Sequence, residues 1–261
     1  MAGLDKFLNR PNAPIPIDHL ELLNSGVEIS SSVLLDRKAI NQLFKQGYLH
    51  SENGFYRDPN GSTYVAVLTQ MPKVSIDMIN WWFWWHAAAG ERYQIWYPDM
   101  HFDIDADFQG KYHDDNLTYP ERLHLSTHLV TEDVGMGKDE ILIDFMSPGD
   151  FGFDENHLNP NETTVICARV GAPDKGVWAT EMCHFVRKTK AGVEMRSRFW
   201  IGHQIYRMGG FAQGLINRIV NFSPIKRTII PKSIGINMFH HCTQEYHNLA
   251  KILPAVYEEF G

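Results

Sequence analysis

The chain has no surplus of positive charge, few cysteines and no long apolar run. Lysine and arginine together number 24 against 31 aspartates and glutamates, giving a formal net charge of −7 and a pI near 6.0. Nucleic-acid binding draws its affinity from clustered cations that displace counterions. The densest basic stretch, Arg187 to Lys190, is short and gives way to acidic sequence, so a polyanionic partner is set aside. Three cysteines, Cys167, Cys183 and Cys242, lie far apart and form no CxxC pair. A sparse, odd set reads as reduced thiols rather than a disulfide framework, and the expected location is the cytoplasm. The tryptophan-rich run at 81–85 meets His86, Glu91 and Arg92 too soon to span a bilayer, and the opening residues lack a signal peptide's apolar core. HExxH is missing, which disfavours a thermolysin-like peptidase, and without GxSxG the usual serine-esterase elbow is gone.

What is present is the composition of a globular protein. Hydrophobic residues make up 44% of the 261 residues and charged residues 21%, ample for one large core or a main domain with a small appendage. Thirteen histidines and seven tryptophans exceed what such a length usually carries. Histidine is the commonest metal ligand and titrates near neutrality, so its positions deserve reading.

No internal repeat or low-complexity tract divides the chain. Residues 1–20 are Pro/Asn-rich and read as an arm, the pattern from Ser30 to Tyr48 is helix-like, and 50–61 reads as a hairpin or turn region. The break at Asp58–Gly61 sets the expected boundary between a partly helical N-terminal appendage (1–60) and the main domain (61–261). That domain starts with a strand from Thr63 to Gln70, then a helix from Ser75 to about Ala89 closed by Gly90. Strand-like segments follow at about 122–132, 140–146, 163–170, 177–188 and 193–201, and two helical stretches at 205–222 and 236–257. This order suits an α+β domain whose curved antiparallel sheet wraps a long C-terminal helix and leaves a cavity between them.

His241-Cys-Thr-Gln-Glu245 places an imidazole and a carboxylate four apart on one helical face, where both can reach one ion. A surface ion pair has the same spacing. His101 follows the Pro98 loop in aromatic surroundings, and Glu132 ends a strand that also carries His128. Two His and two Glu suit a divalent cation, zinc first, but convergence across a fold is not readable from spacing, so the residues alone give a candidate site.

Four segments carry a resemblance: Glu91-Arg-Tyr93-Gln-Ile-Trp96-Tyr-Pro-Asp-Met-His101, Thr131-Glu132-Asp133-Val134-Gly135, Met195-Arg-Ser-Arg-Phe-Trp200 and His240-His241-Cys-Thr-Gln-Glu245-Tyr-His-Asn-Leu249. In order and separation they resemble the 2,4-diacetylphloroglucinol hydrolase family, which includes phloretin hydrolase. The resemblance runs from about Tyr64 to the C-terminus and implies a helix-grip (Bet v 1-like, START-like) fold with one Zn2+. It further implies His101, Glu132, His241 and Glu245 as ligands, Tyr93 as the phenol-binding residue and His184 near the substrate. Where the family has a polar residue just after the first zinc histidine, this chain reads Phe102-Asp103-Ile104. The implied reaction is hydrolysis of the bond between an acyl group and a phenolic ring. His184 is the candidate for proton traffic to the ring, His203 the reserve, and His124 and His128 candidates to orient the zinc ligands. The partner is a small phenolic ketone, with a homodimer through the N-terminal appendage also expected. Two other readings stand: a helix-grip carrier without chemistry, which contains no stoichiometric zinc, and a zinc-dependent ester or amide hydrolase.

Overall fold

The structure, a computed structural model, describes residues 3–124, 126–209 and 213–261. Eight strands form one antiparallel sheet in the order β1-β2-β8-β7-β6-β5-β4-β3. They are Gly54–Arg57 (β1), Thr63–Pro72 (β2), His101–Asp107 (β3), Thr127–Glu132 (β4), Asp139–Met146 (β5), Thr163–Ala172 (β6), Val177–Lys188 (β7) and Gly192–Arg207 (β8). Two short helices, α1 (Asp5–Leu8) and α2 (Ile17–Ser25), precede the sheet. Helices α3 (Ile76–Trp85) and α4 (Gly90–Gln94) lie between β2 and β3, α5 (Tyr119–Leu123) precedes β4, and α6 (Pro148–Phe151) follows β5. After β8 come α7 (Gln213–Val220), α8 (Ser223–Ile229) and the 27-residue α9 (Ile234–Phe260). The expected α+β helix-grip architecture, a curved antiparallel sheet around a long C-terminal helix, is the one observed.

Helix α9 is apolar along the face it turns to the sheet, burying Phe239, Cys242, Tyr246, Leu249, Leu253 and Val256. It lies on β1 and β2, close enough that a Cβ on Gly235 would stand 3.0 Å from Phe55 and Thr63. Trp81, Trp82, Phe83 and Trp85 of α3 belong to the same core, so the tryptophan-rich run is first of all packing. Ser75 caps α3, its side chain accepting from the Met78 N–H.

The convex face is covered as well, by residues of 35–43 and 151–153 packed on Tyr64, Val165, Cys167, Phe185 and Trp200. This explains why most of β8 is buried on both faces. The expected helix at 30–48 is two 3-10 segments, Ser31–Val33 and Arg37–Phe44, each capped by a side chain (Ser30, Asp36) that competes with α-helix. The Asp58–Gly61 break is the turn of the β1–β2 hairpin, and Leu4 and Phe7 enter the main core. Gly61 has φ +99°, and a Cβ there would meet the Arg227 backbone at 2.7 Å.

Two further expectations are corrected, and one strand was not foreseen. The strand-like reading from 122 begins late, because a Thr118/Glu121 capping box with Pro120 in the first turn makes α5 instead. The helix expected over 205–222 gives way to β8 as far as Arg207, with α7 starting at Gln213; Gly210 falls outside the described residues. Strand β3, His101–Asp107, was missed because its acidic sequence reads as loop; at the sheet edge, alternate aspartates face outward.

Candidate metal centre and cavity

Four side chains from three elements lie near one another beside a cavity between sheet and helix. His101 opposes Glu132 across β3 and β4, and a register shift between His101 and Asp103 marks a bulge at Phe102. Inward-facing β3 residues are otherwise the even-numbered Ile104 and Ala106, opposite Val130 and His128. The extra residue shifts the parity, so that His101 faces inward. Phe102 is left half-buried beside Lys138, whose Nζ sits 4.7 Å from its ring. From the opposite side α9 supplies His241 and Glu245, one helical turn apart.

His101 Nε2 lies 3.5 Å from Glu132 Oε2 and 3.7 Å from Glu245 Oε1, while His241 Nε2 lies 3.8 Å from Glu245 Oε2. The tightest grouping of donor atoms is His101, His241 and Glu245, all within 4.8 Å of one another. Glu132 stands outside it, its Oε2 accepting a hydrogen bond from the Tyr93 hydroxyl. That Oε2 still lies within 3.5 Å of His101 Nε2.

Ring stacking and backbone contacts hold the histidine side. Tyr93 lies flat on the His101 imidazole, centroids 4.1 Å apart, and Trp96 packs edge-on to it while donating to the Glu245 carbonyl at 3.1 Å. His101 Nδ1 sits 3.4 Å from the Tyr93 carbonyl, which can only accept, so Nε2 carries the lone pair. That Nε2 is buried and has no hydrogen-bond partner among the described residues. Beside Glu132, Asp133 accepts from the N–H groups of Gly135, Met136 and Gly137, fixing the loop that follows.

Burial dominates the electrostatics. It raises Glu132 to about 7 and pushes Glu245 well above the usual carboxylate range, the latter with help from neighbouring Glu132. It also lowers His241 to about 4 and holds His101 well below the usual imidazole range. Two buried carboxylates facing two neutral imidazoles, with no Lys or Arg in the group, form a donor set that a divalent cation satisfies. The residues present therefore fit a metal, and an orphaned Nε2 aimed at two carboxylates is the observation that shows it.

The metal-free protein should respond to pH in a particular way. A carboxylate raised by burial contributes stability below its unfolded value that is lost as pH rises through about 7. The depressed histidines do the reverse: their contribution is present above the unfolded imidazole value and lost as pH falls toward about 4. Above the imidazole range only the carboxylates still change, and a bound cation removes their cost. The melting-temperature gap between metal-loaded and chelator-treated protein is expected to widen from pH 6 to 8; a constant or narrowing gap would contradict this site.

The cavity measures about 60 Å3 and is lined by Phe83, Phe145, Met182, Phe199, Met238 and by Glu132, His241 and Glu245. His184 lines it too, on β7, with Nδ1 2.9 Å from Ser197 Oγ and Nε2 3.2 Å from the Tyr246 hydroxyl. The first contact follows from register, since His184 and Ser197 are direct partners across β7 and β8. Burial lowers His184 to about 3. Tyr246 was missed in the sequence, although it follows Glu245 directly.

The other expected residues scatter. His128 lines the cavity, but its Nε2 contacts Ser126 rather than a ligand. His124 caps the end of α5 and faces a different groove with Glu121 and Glu155. His203 is exposed on β8, in an outer groove with Arg37 and Trp200, and so lies outside the cavity it was expected to serve.

A family profile described as the DAPG hydrolase PhiG domain matches residues 34–258. The chain belongs to this family. It is 28% identical over 257 residues to phloretin hydrolase of Eubacterium ramulus, covering 97% of this chain and 89% of that one. To 2,4-diacetylphloroglucinol hydrolase of Pseudomonas protegens it is 24% identical over 260 residues, covering 97% and 83%. As a member it is an enzyme, a carbon–carbon bond hydrolase. Norcoclaurine synthase of Thalictrum flavum aligns over 89% of this chain and 99% of its own, at 12% identity and a TM-score of 0.37, too distant to bear on the site.

Proposed function

We propose that this hydrolase is zinc-dependent and cleaves the bond between an acyl group and a phloroglucinol-type ring, releasing a carboxylic acid. The observation that carries the reading is the His101–Glu132–His241–Glu245 grouping beside an aromatic-walled cavity that also holds His184. Zinc held by these four would supply Lewis acidity at the acyl carbonyl and ease deprotonation of water.

The chain's own groups do the rest. Water's oxygen becomes bonded to the acyl carbon, the acyl–ring bond breaks, and the ring carbon must receive a proton. Flanking hydroxyls make the ring a feasible leaving group by allowing its keto tautomer. Tyr93 orients Glu132 by donating to it, and its oxygen keeps lone pairs free to accept from a ring hydroxyl. His184, neutral and bridging Ser197 and Tyr246, would handle the proton bound for the ring, a role its position on the cavity wall supports. The interior has room for about five waters, the scale of one small ring. A ring carrying an acyl group requires Met182 and Met238 to swing aside, which unbranched thioethers do readily.

His184→Asn is expected to keep its metal and lose at least about a hundredfold in turnover. Steady-state kinetics on an acylphloroglucinol with parallel metal analysis checks this, and near-normal turnover in the folded variant would remove His184 from the reaction.

Ile17, Leu20 and Val27 are exposed on the N-terminal segment, which supports the proposal of a homodimer through this region. Three cysteines without a disulfide fit the proposed cytoplasmic location, and among the described residues no helix is long and apolar enough to cross a membrane.

A further inference from the structure

The cavity has a second polar corner, built by His86 and His128, whose ring centroids lie 6.3 Å apart. Both are buried, with 3% and 1% exposure, and neither belongs to the metal grouping. Their tautomers follow from their partners. His86 Nδ1 lies 2.7 Å from the Trp82 carbonyl oxygen, which has no hydrogen to give. Nδ1 therefore carries the proton and Nε2 a bare lone pair. Ser126 Oγ donates its single hydrogen to the Leu123 carbonyl at 2.7 Å, so it can only accept from His128 Nε2 at 3.1 Å. The proton sits on Nε2 and the bare lone pair on Nδ1. Burial keeps both rings neutral, lowering His86 to about 4 and His128 well below the usual range.

Among the described residues no hydrogen bond reaches His86 Nε2 or His128 Nδ1. Both residues line the cavity, so an occupant can bring hydrogens to these two acceptors. Around them stand Phe83, Trp96 and Phe145, planar walls for a planar guest. We propose that His86 and His128 form a hydroxyl-recognition subsite, accepting hydrogen bonds from ring hydroxyls and so restricting the enzyme to free polyphenols. The proposal rests on the acylphenol reading of the metal centre and adds how the ring itself is recognised. His86 and His128 are positioning residues here and take no proton.

The test is calorimetric titration of the metal-loaded protein with phloroglucinol and with 1,3,5-trifluorobenzene, a ring of similar shape and no greater size that donates nothing. Wild type is expected to bind phloroglucinol at least about tenfold more tightly than the fluorinated ring, the scale of a buried hydrogen bond to substrate. His86→Phe is expected to lose that preference while keeping its metal. Should this variant fail to fold, the wild-type comparison decides, because equal binding of the two rings overturns the subsite by itself. A folded His86→Phe that keeps the full preference overturns it as well. Absence of phloroglucinol binding to the wild type with acylphloroglucinol cleavage intact overturns the subsite alone, whereas absence of both overturns the acylphenol reading together with it.

Discussion

His241→Ala is expected to empty the metal centre and lower turnover by about a thousandfold, while the protein stays folded. His241 is held between Tyr97 and the centre, with Nε2 3.8 Å from Glu245 Oε2, and truncation removes one of two imidazole donors. The electrostatic help a catalytic metal gives is several kcal/mol, which converts to about three orders of magnitude in rate. The cavity this leaves is small and lies beside Glu245, whose burial already favours its protonated form. The variant can thus settle as a neutral, metal-free protein. Elemental analysis and kinetics on the same preparation decide the matter. Full metal retention in both His101→Ala and His241→Ala would sink the assignment of these four residues.

Glu52→Ala should have the largest effect on folding. Two guanidiniums on the convex side of β8, Arg196 and Arg198, are 1% and 0% exposed and share this one carboxylate. Arg196 donates to it at 3.1 and 2.6 Å and to the Leu43 carbonyl at 2.9 Å, and Arg198 bonds it from the neighbouring position on the same face. The Leu49 N–H completes the set at 2.7 Å. Both arginines hold the Glu52 carboxyl below its ordinary value despite burial. Removing it leaves two buried charges without a counter-ion, a loss of about 3–5 kcal/mol. Urea unfolding of the metal-loaded protein is the measurement, and a change under about 1 kcal/mol, the range of an exposed pair, would mean that the network is not buried in solution. Glu52→Gln should fall between, since the amide keeps the acceptor and drops the charge.

The sequence carried the architecture because its signals were local. Period-two alternation in β7 put His184 and Met182 on one face, and the four-residue spacing of His241 and Glu245 put both on one side of α9. It failed wherever one residue changed parity or a cap competed with a pattern. The bulge at Phe102 turns His101 inward, and no propensity announces it. Thr118 and Glu121 did announce α5 through their capping box, and this was overlooked in favour of the apolar residues after it. His203, just past the expected strand at 193–201, was the reserve for His184, but the burial that separates them depends on the whole sheet. The pairing of Ser197 with His184 needed the register of β7 against β8, which is fixed by hydrogen bonds spread along both strands.

The position of α9 has a consequence for the molecule as a mechanical object. Its body lies on β1 and β2, at one margin of the sheet, while His241 and Glu245 reach across to β3 and β4 at the other margin. An open sheet would let those two margins move apart, because β1 and β3 each pair with a single strand. A cation held by residues from both margins would turn the open sheet into a hoop, with the helix as crossbar and the site as its buckle. Loading the site would tie the β3 margin of the sheet to the helix and resist their separation.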